Sequence, residues 1–133
     1  MKRALVASAL VAISACNWGM RPTEFLPALG PEGARVAVRV AHESVDRTGE
    51  LYAADSAGVI VRSTRLIRVP WSRVAALDVL HLGADFDVAF GESPDATKRA
   101  RLATVSRFPQ GLSGELLARV LARVNQRSID QVE

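Results

Sequence analysis

Apolar residues recur along this chain with two periods, and the change from one to the other divides the sequence. Over 34–42 the alternation is strict: Val36, Val38 and Val40 fall on one side, and Arg35, Ala37, Arg39 and Ala41 on the other. A period of two marks a strand with one buried face, because successive side chains point to opposite sides. Residues 43–49 read as a polar loop. Residues 50–54 and 59–62 are short strands joined by Asp55-Ser56-Ala57-Gly58. There Asp can accept from its own backbone and Gly can turn left-handed, so the pattern predicts a hairpin. A turn at Ser63-Thr64 leads to a strand over 66–69, which Pro70-Trp71-Ser72-Arg73 breaks before a further strand over 74–82. Phe86, Val88 and Phe90 alternate with Asp87 and Ala89 and predict a last strand.

After Glu92 the rhythm changes. Ser93 as cap with Pro94 at the first helical position predicts a helix over 96–107. Its apolar face is thin, and a strand over 102–106 is the alternative. Phe108-Pro109-Gln110-Gly111 ends that element in either case. Ser113 caps a second helix, with Leu112 and Leu117 closing over the cap. Leu117, Val120, Leu121 and Val124 stand at i, i+3, i+4 and i+7, a narrow stripe that should lie on the sheet. Arg119 and Arg123 fall on its outer flank, and 128–133 reads as a polar tail.

The pattern gives an α+β fold: a small antiparallel β-barrel of five to six short strands with a C-terminal helix packed on it. Gly49-Glu50-Leu51 opening a strand, the turn at 55–58 and the Pro70-Trp71 break carry a likeness. On these residues the segment 36–82 resembles the strand order of SH3-like and Sm-like small barrels. A pleckstrin-homology-like barrel capped by the last helix is the other architecture with this pattern.

The first sixteen residues are of another kind. Met1-Lys2-Arg3 is cationic, and 4–13 is an unbroken run of apolar or small residues. The run is shorter than the roughly 20 residues a helix needs to cross a bilayer, and its flanks are those of a secretory signal. Ile13 sits poorly at the −3 position of an ordinary signal-peptidase site. Ile13-Ser14-Ala15-Cys16 instead resembles the lipobox of bacterial lipoproteins, with Ile in place of the commoner Leu. The resemblance implies that Cys16 receives a diacylglycerol and becomes the mature N-terminus after 1–15 are removed. Several acyl chains on one cysteine hold a membrane firmly where a single chain does not. Asn17, which is not an aspartate, implies the outer membrane by the sorting rule of enteric lipoproteins. Residues 17–33, with three prolines and three glycines, read as a tether reaching at most about 55–60 Å.

Composition changes meaning once the signal is set aside. Lys2 and Arg3 leave with it, so the 17 basic residues fall to 15 against 14 acidic ones. The mature chain is then nearly neutral, and no nucleic-acid partner is expected. Cys16 is the only cysteine, so the domain over 34–127 holds itself together by burial without disulfides.

Candidate chemistry is sparse. His42 and His81 are the only histidines, and neither stands in a metal-ligand spacing. His42-Glu43-Ser44 cannot form a triad among themselves, since neighbours in extended chain face opposite ways. His81 reads as an ordinary strand residue. Asp85 and Asp87 share a face of the last strand and could pair on a cation, far short of calcium's six to eight oxygens. Trp71, Phe108 and Gln110 are the residues singled out for partner binding, although an aromatic placed like Trp71, after a proline at a barrel corner, is more often a plug of the core. No cofactor or metal is expected. These readings lead to a membrane-anchored envelope lipoprotein with a non-catalytic binding or structural domain. A small hydrolase using scattered histidine and carboxylate groups is one alternative, and an Sm-like nucleic-acid barrel the other.

Overall fold

The computed structural model of the chain describes residues 32–133; the expected signal, Cys16 and the expected tether through 31 lie outside the described residues. Six strands form one sheet: β1 (Arg35–Val40), β2 (Arg47–Ala54), β3 (Gly58–Arg62), β4 (Leu66–Pro70), β5 (Val74–Val79) and β6 (Asp130–Gln131). Their order is β5-β1-β2-β3-β4-β6. All neighbours are antiparallel except β4 and β6, which run parallel. Two helices complete the fold, α1 (Ala96–Thr104) and α2 (Gly114–Arg123).

The alternation in β1 has the predicted consequence, with Val36, Val38 and Val40 buried and Arg35 and Arg39 exposed. The β2–β3 hairpin turns as its residues require. Asp55 Oδ1 accepts from the backbone N–H of Ala57 at 2.8 Å and of Gly58 at 3.1 Å. Gly58 is needed for space, because a Cβ there would stand 2.1 Å from the Val69 carbonyl oxygen.

Burial is arranged on both faces of the sheet. On one, Val36, Val38, Leu51, Val59 and Val61 meet Leu102 and Val105 at the end of α1. On the other, Tyr52, Ala53, Ile60 and Leu66 meet Leu112 and Val120, so α2 covers β2, β3 and β4 from the opposite side. Val59 and Val61 serve the first core and Ile60 the second, as strand alternation requires. Being covered twice, β3 carries a continuous apolar run where the singly covered β1 alternates.

Several expectations need correction. The α+β assignment stands, but the sheet is an open series of six strands and the set is mixed, because β6 joins in parallel. Phe86, Val88 and Phe90 form no strand. Residues Ala84–Phe86 make a single 3-10 turn, and Val88 alone bridges to Leu77. Asp87 Oδ1 accepts from the Val79 amide at 2.7 Å, so a side chain replaces the ladder bond that a strand would make. Residues 74–82 are a strand only to Val79, and the loop over 43–49 already pairs from Arg47. Residues 96–104 are helical, and the cap is Asp95 rather than Ser93: its carboxylate accepts from Lys98 N–H at 2.8 Å. Ser113 occupies the cap position of α2 without a side-chain cap bond. The supposed polar tail supplies β6. Ile67 pairs with Asp130 and Arg68 with Gln131, and Arg65 clasps Asp130 at 2.6 and 3.2 Å. Ladder pairing uses backbone groups, which hydropathy does not report. Among the described residues no helix is long and apolar enough to cross a membrane.

Candidate functional site

The site begins with an irregularity in β2. Leu51 pairs with Val61, yet Ala53 pairs with Ile60, so Tyr52 is an extra residue in the ladder. A bulge of this kind redirects a side chain. Here Tyr52 and Ala53 both join the core beneath α2, while Leu51 and Ala54 belong to the opposite core. The chain leaving α1 runs beside this stretch and occupies backbone acceptors that β1 does not reach. Arg107 N–H donates to the Leu51 carbonyl and Phe108 N–H to the Tyr52 carbonyl, both at 2.9 Å. Phe108 is thereby set edge-on against Tyr52, with ring centroids 5.5 Å apart and planes at 64°.

Between this corner and α2 lies a cleft of about 450 Å³, whose polar lining is Tyr52, Arg62, Arg107, Arg119 and Arg123. Phe108, Leu116, Val120 and Val124 form its apolar wall. Arg62, the last residue of β3, donates from Nη1 to the Tyr52 hydroxyl at 3.0 Å. Its guanidinium carbon is 5.9 Å from the centre of the Tyr52 ring, and that of Arg107 is 5.4 Å from it. Arg107 is neutralised by Glu50, with N–O distances of 3.0 and 3.2 Å. Arg62, Arg119 and Arg123 have no carboxylate partner among the described residues, and Arg62 Nε is buried without an acceptor. Guanidinium groups present planar arrays of donors suited to carboxylate and phosphate oxygens. The cleft therefore carries positive charge at its polar end and hydrocarbon along its wall.

The residues singled out from sequence divide unevenly around it. Phe108 lines the cleft, whereas Gln110 is exposed outside it. Trp71 is also elsewhere: its indole N–H donates to the Asp55 carbonyl at 2.7 Å and its ring packs on the first core. That is the plug role. Ile13, Ser14, Ala15 and Cys16 lie outside the described residues. His42 and His81 are both exposed, in left-handed conformation just past the ends of β1 and β5 (φ 67° and 70°), so His81 is a turn residue and not a strand residue. Neither takes part in a side-chain hydrogen bond among the described residues. Asp85 and Asp87 do not share a strand face, because Asp85 lies within the 3-10 turn and Asp87, which follows it, is engaged by Val79. No group of three or more metal-ligating side chains comes together among the described residues.

Tyr52, Arg62 and Arg107 were missed by sequence reasoning, which saw Arg119 and Arg123 only as outer-flank charges. A partial signal existed in Arg119 and Arg123, like charges one helical turn apart on the rim of the apolar stripe. Nothing local marks the bulge that turns Tyr52 toward them. Comparison with protein-family models, with curated proteins and with solved structures finds no match to this chain.

Proposed function

We propose that this chain is a lipid-anchored protein of the bacterial envelope whose folded part is a non-catalytic binding domain. The cleft between α2 and the Tyr52 bulge carries the binding half of this reading: it is concave, apolar along one wall and polar at one end, as ligand sites are. The anchoring half is supported by the cationic start, the apolar run and Ile13-Ser14-Ala15-Cys16. On this reading Cys16 holds the membrane, residues 17–33 are the tether, and the domain faces the periplasm from the outer membrane. On this reading the open sheet follows the strand order of SH3-like and Sm-like small barrels from β1 to β5. The order β5-β1-β2-β3-β4, with a 3-10 turn at Trp71–Arg73 between β4 and β5, supports that finer assignment.

Membrane fractionation of cells expressing the full chain or Cys16→Ser tests the anchor. The wild type should take up labelled fatty acid and sediment with membranes, and Cys16→Ser should do neither. A wild type that stays unlabelled, or a serine variant that remains with the membrane, rejects the anchor.

A further inference from the structure

We propose that the cleft beneath α2 binds a small ligand carrying an oxyanion, phosphate or carboxylate, on an apolar body. This rests on reading the cleft as the domain's binding site and does not depend on the lipid anchor. The lining contains four arginines and no acidic side chain, and among the described residues only Arg107 is neutralised, by Glu50. Arg119 and Arg123 stand one turn apart on α2, a spacing at which like charges repel unless an anion lies between them. Arg62 is positioned by the Tyr52 hydroxyl, which accepts from its Nη1 and keeps its own proton to donate. The buried Arg62 Nε has no acceptor among the described residues, so a ligand oxygen is the partner that its chemistry calls for.

The remainder of the cleft sets the shape of the ligand. Leu116, Val120 and Val124 with the Phe108 ring give a hydrocarbon wall beside the arginines. A volume of about 450 Å³ suits a small molecule. A nucleic-acid strand fits less well. Single strands are held by stacking bases on open aromatic faces, whereas Tyr52 is only 4% exposed and Phe108 meets it edge-on.

Isothermal titration of the full-length chain at low salt tests the proposal with four probes: phenyl phosphate, phenylacetate, neutral benzyl alcohol and a short oligo-dT strand. At least one of the two anions should bind at a single site, and the stronger of them identifies phosphate or carboxylate as the head group. Losing a charge-assisted bond should weaken binding at least about tenfold in Arg62→Gln and in the double variant Arg119→Gln/Arg123→Gln. The double variant alters exposed helix positions only, so it remains informative if Arg62→Gln fails to fold. Arg101→Gln, on α1 and outside the cleft, should leave affinity unchanged. Equal binding of benzyl alcohol overturns the oxyanion assignment but leaves a binding cleft, and silence from all four probes rejects the cleft itself. An equal loss in Arg101→Gln overturns the site, as does oligo-dT binding more tightly than either anion through the cleft arginines.

Discussion

Gln126 hydrogen-bonds both backbone groups of Leu66, a residue 60 positions earlier. Its Oε1 accepts from the Leu66 N–H at 2.7 Å and its Nε2 donates to the Leu66 carbonyl at 3.2 Å. The side-chain amide acts as a neighbouring strand would, and it fixes the chain leaving α2 to the start of β4. Both residues are buried, so neither group has water as a substitute. Gln126→Leu should therefore destabilise the fold by about 1–3 kcal/mol, the cost of leaving a buried polar group unmade. Thermal unfolding checks this, with exposed Gln110→Leu as the variant expected to melt like wild type. If the two variants melt together, the clasp contributes nothing.

The two cores should respond differently to truncation. Leu102 on α1 has no exposed surface, and Leu102→Ala should cost about 2–5 kcal/mol. Leu121 on α2 is only partly buried, so Leu121→Ala should cost clearly less. Urea denaturation of the pair measures the difference, and a larger loss at Leu121 would place the dominant core on the wrong face.

Gly58→Ala probes a steric requirement. Its Cβ would meet the Val69 carbonyl oxygen at 2.1 Å and Pro70 Cα at 2.9 Å, and both belong to the backbone of β4. The pair β3–β4 must separate locally, and the loss should exceed the roughly 1 kcal/mol that a compatible glycine-to-alanine replacement can gain. Amide exchange should show the weakening in β3 and β4. Unchanged protection there would mean the hairpin can shift to admit a methyl group.

The attachment of β6 should depend on acid. Asp130 is held below its ordinary value of 3.8, chiefly by the hydrogen bond from Arg65, which outweighs the opposing effect of desolvation, with that residue's charge adding a smaller part. Folding thus favours the carboxylate. Its contribution is complete above the unfolded titration near 3.8 and is lost as pH falls through the lower folded value. At pH 7 wild type should be slightly more stable than Asp130→Asn, and the curves should converge below pH 3.8. A gap that is the same at pH 7 and pH 3 would remove the ion pair from the account of how β6 is held.

Much of the sheet was legible because its signals are local. The alternation of Val36, Val38 and Val40, the Asx turn at Asp55 and the break at Pro70-Trp71 each depend on residues a few positions apart. The stripe on α2 was legible for the same reason, although only Val120 within the helix is buried. Where two local signals competed, the structure decided between them. Asp95 outcompeted Ser93 for the cap, and Asp87 gave its carboxylate to Val79 where alternation promised a strand.

The binding cleft was scarcely legible. Tyr52 and Arg62 stand ten positions apart, and Arg107 and Glu50 stand 57 apart. Their meeting depends on one inserted residue in the β2–β3 ladder and on the path taken by the chain after α1. The order of polar and apolar positions was enough to specify β1 to β5, the second helix and which side of β1 is buried, because periodicity is a property of neighbours. Which face α2 covers, where Tyr52 points and that the last residues add a sixth strand were settled only by tertiary packing. Those outcomes rest on backbone acceptors, side-chain amides and ion pairs that find partners across tens of residues, and no window along the chain contains both halves of such a bond.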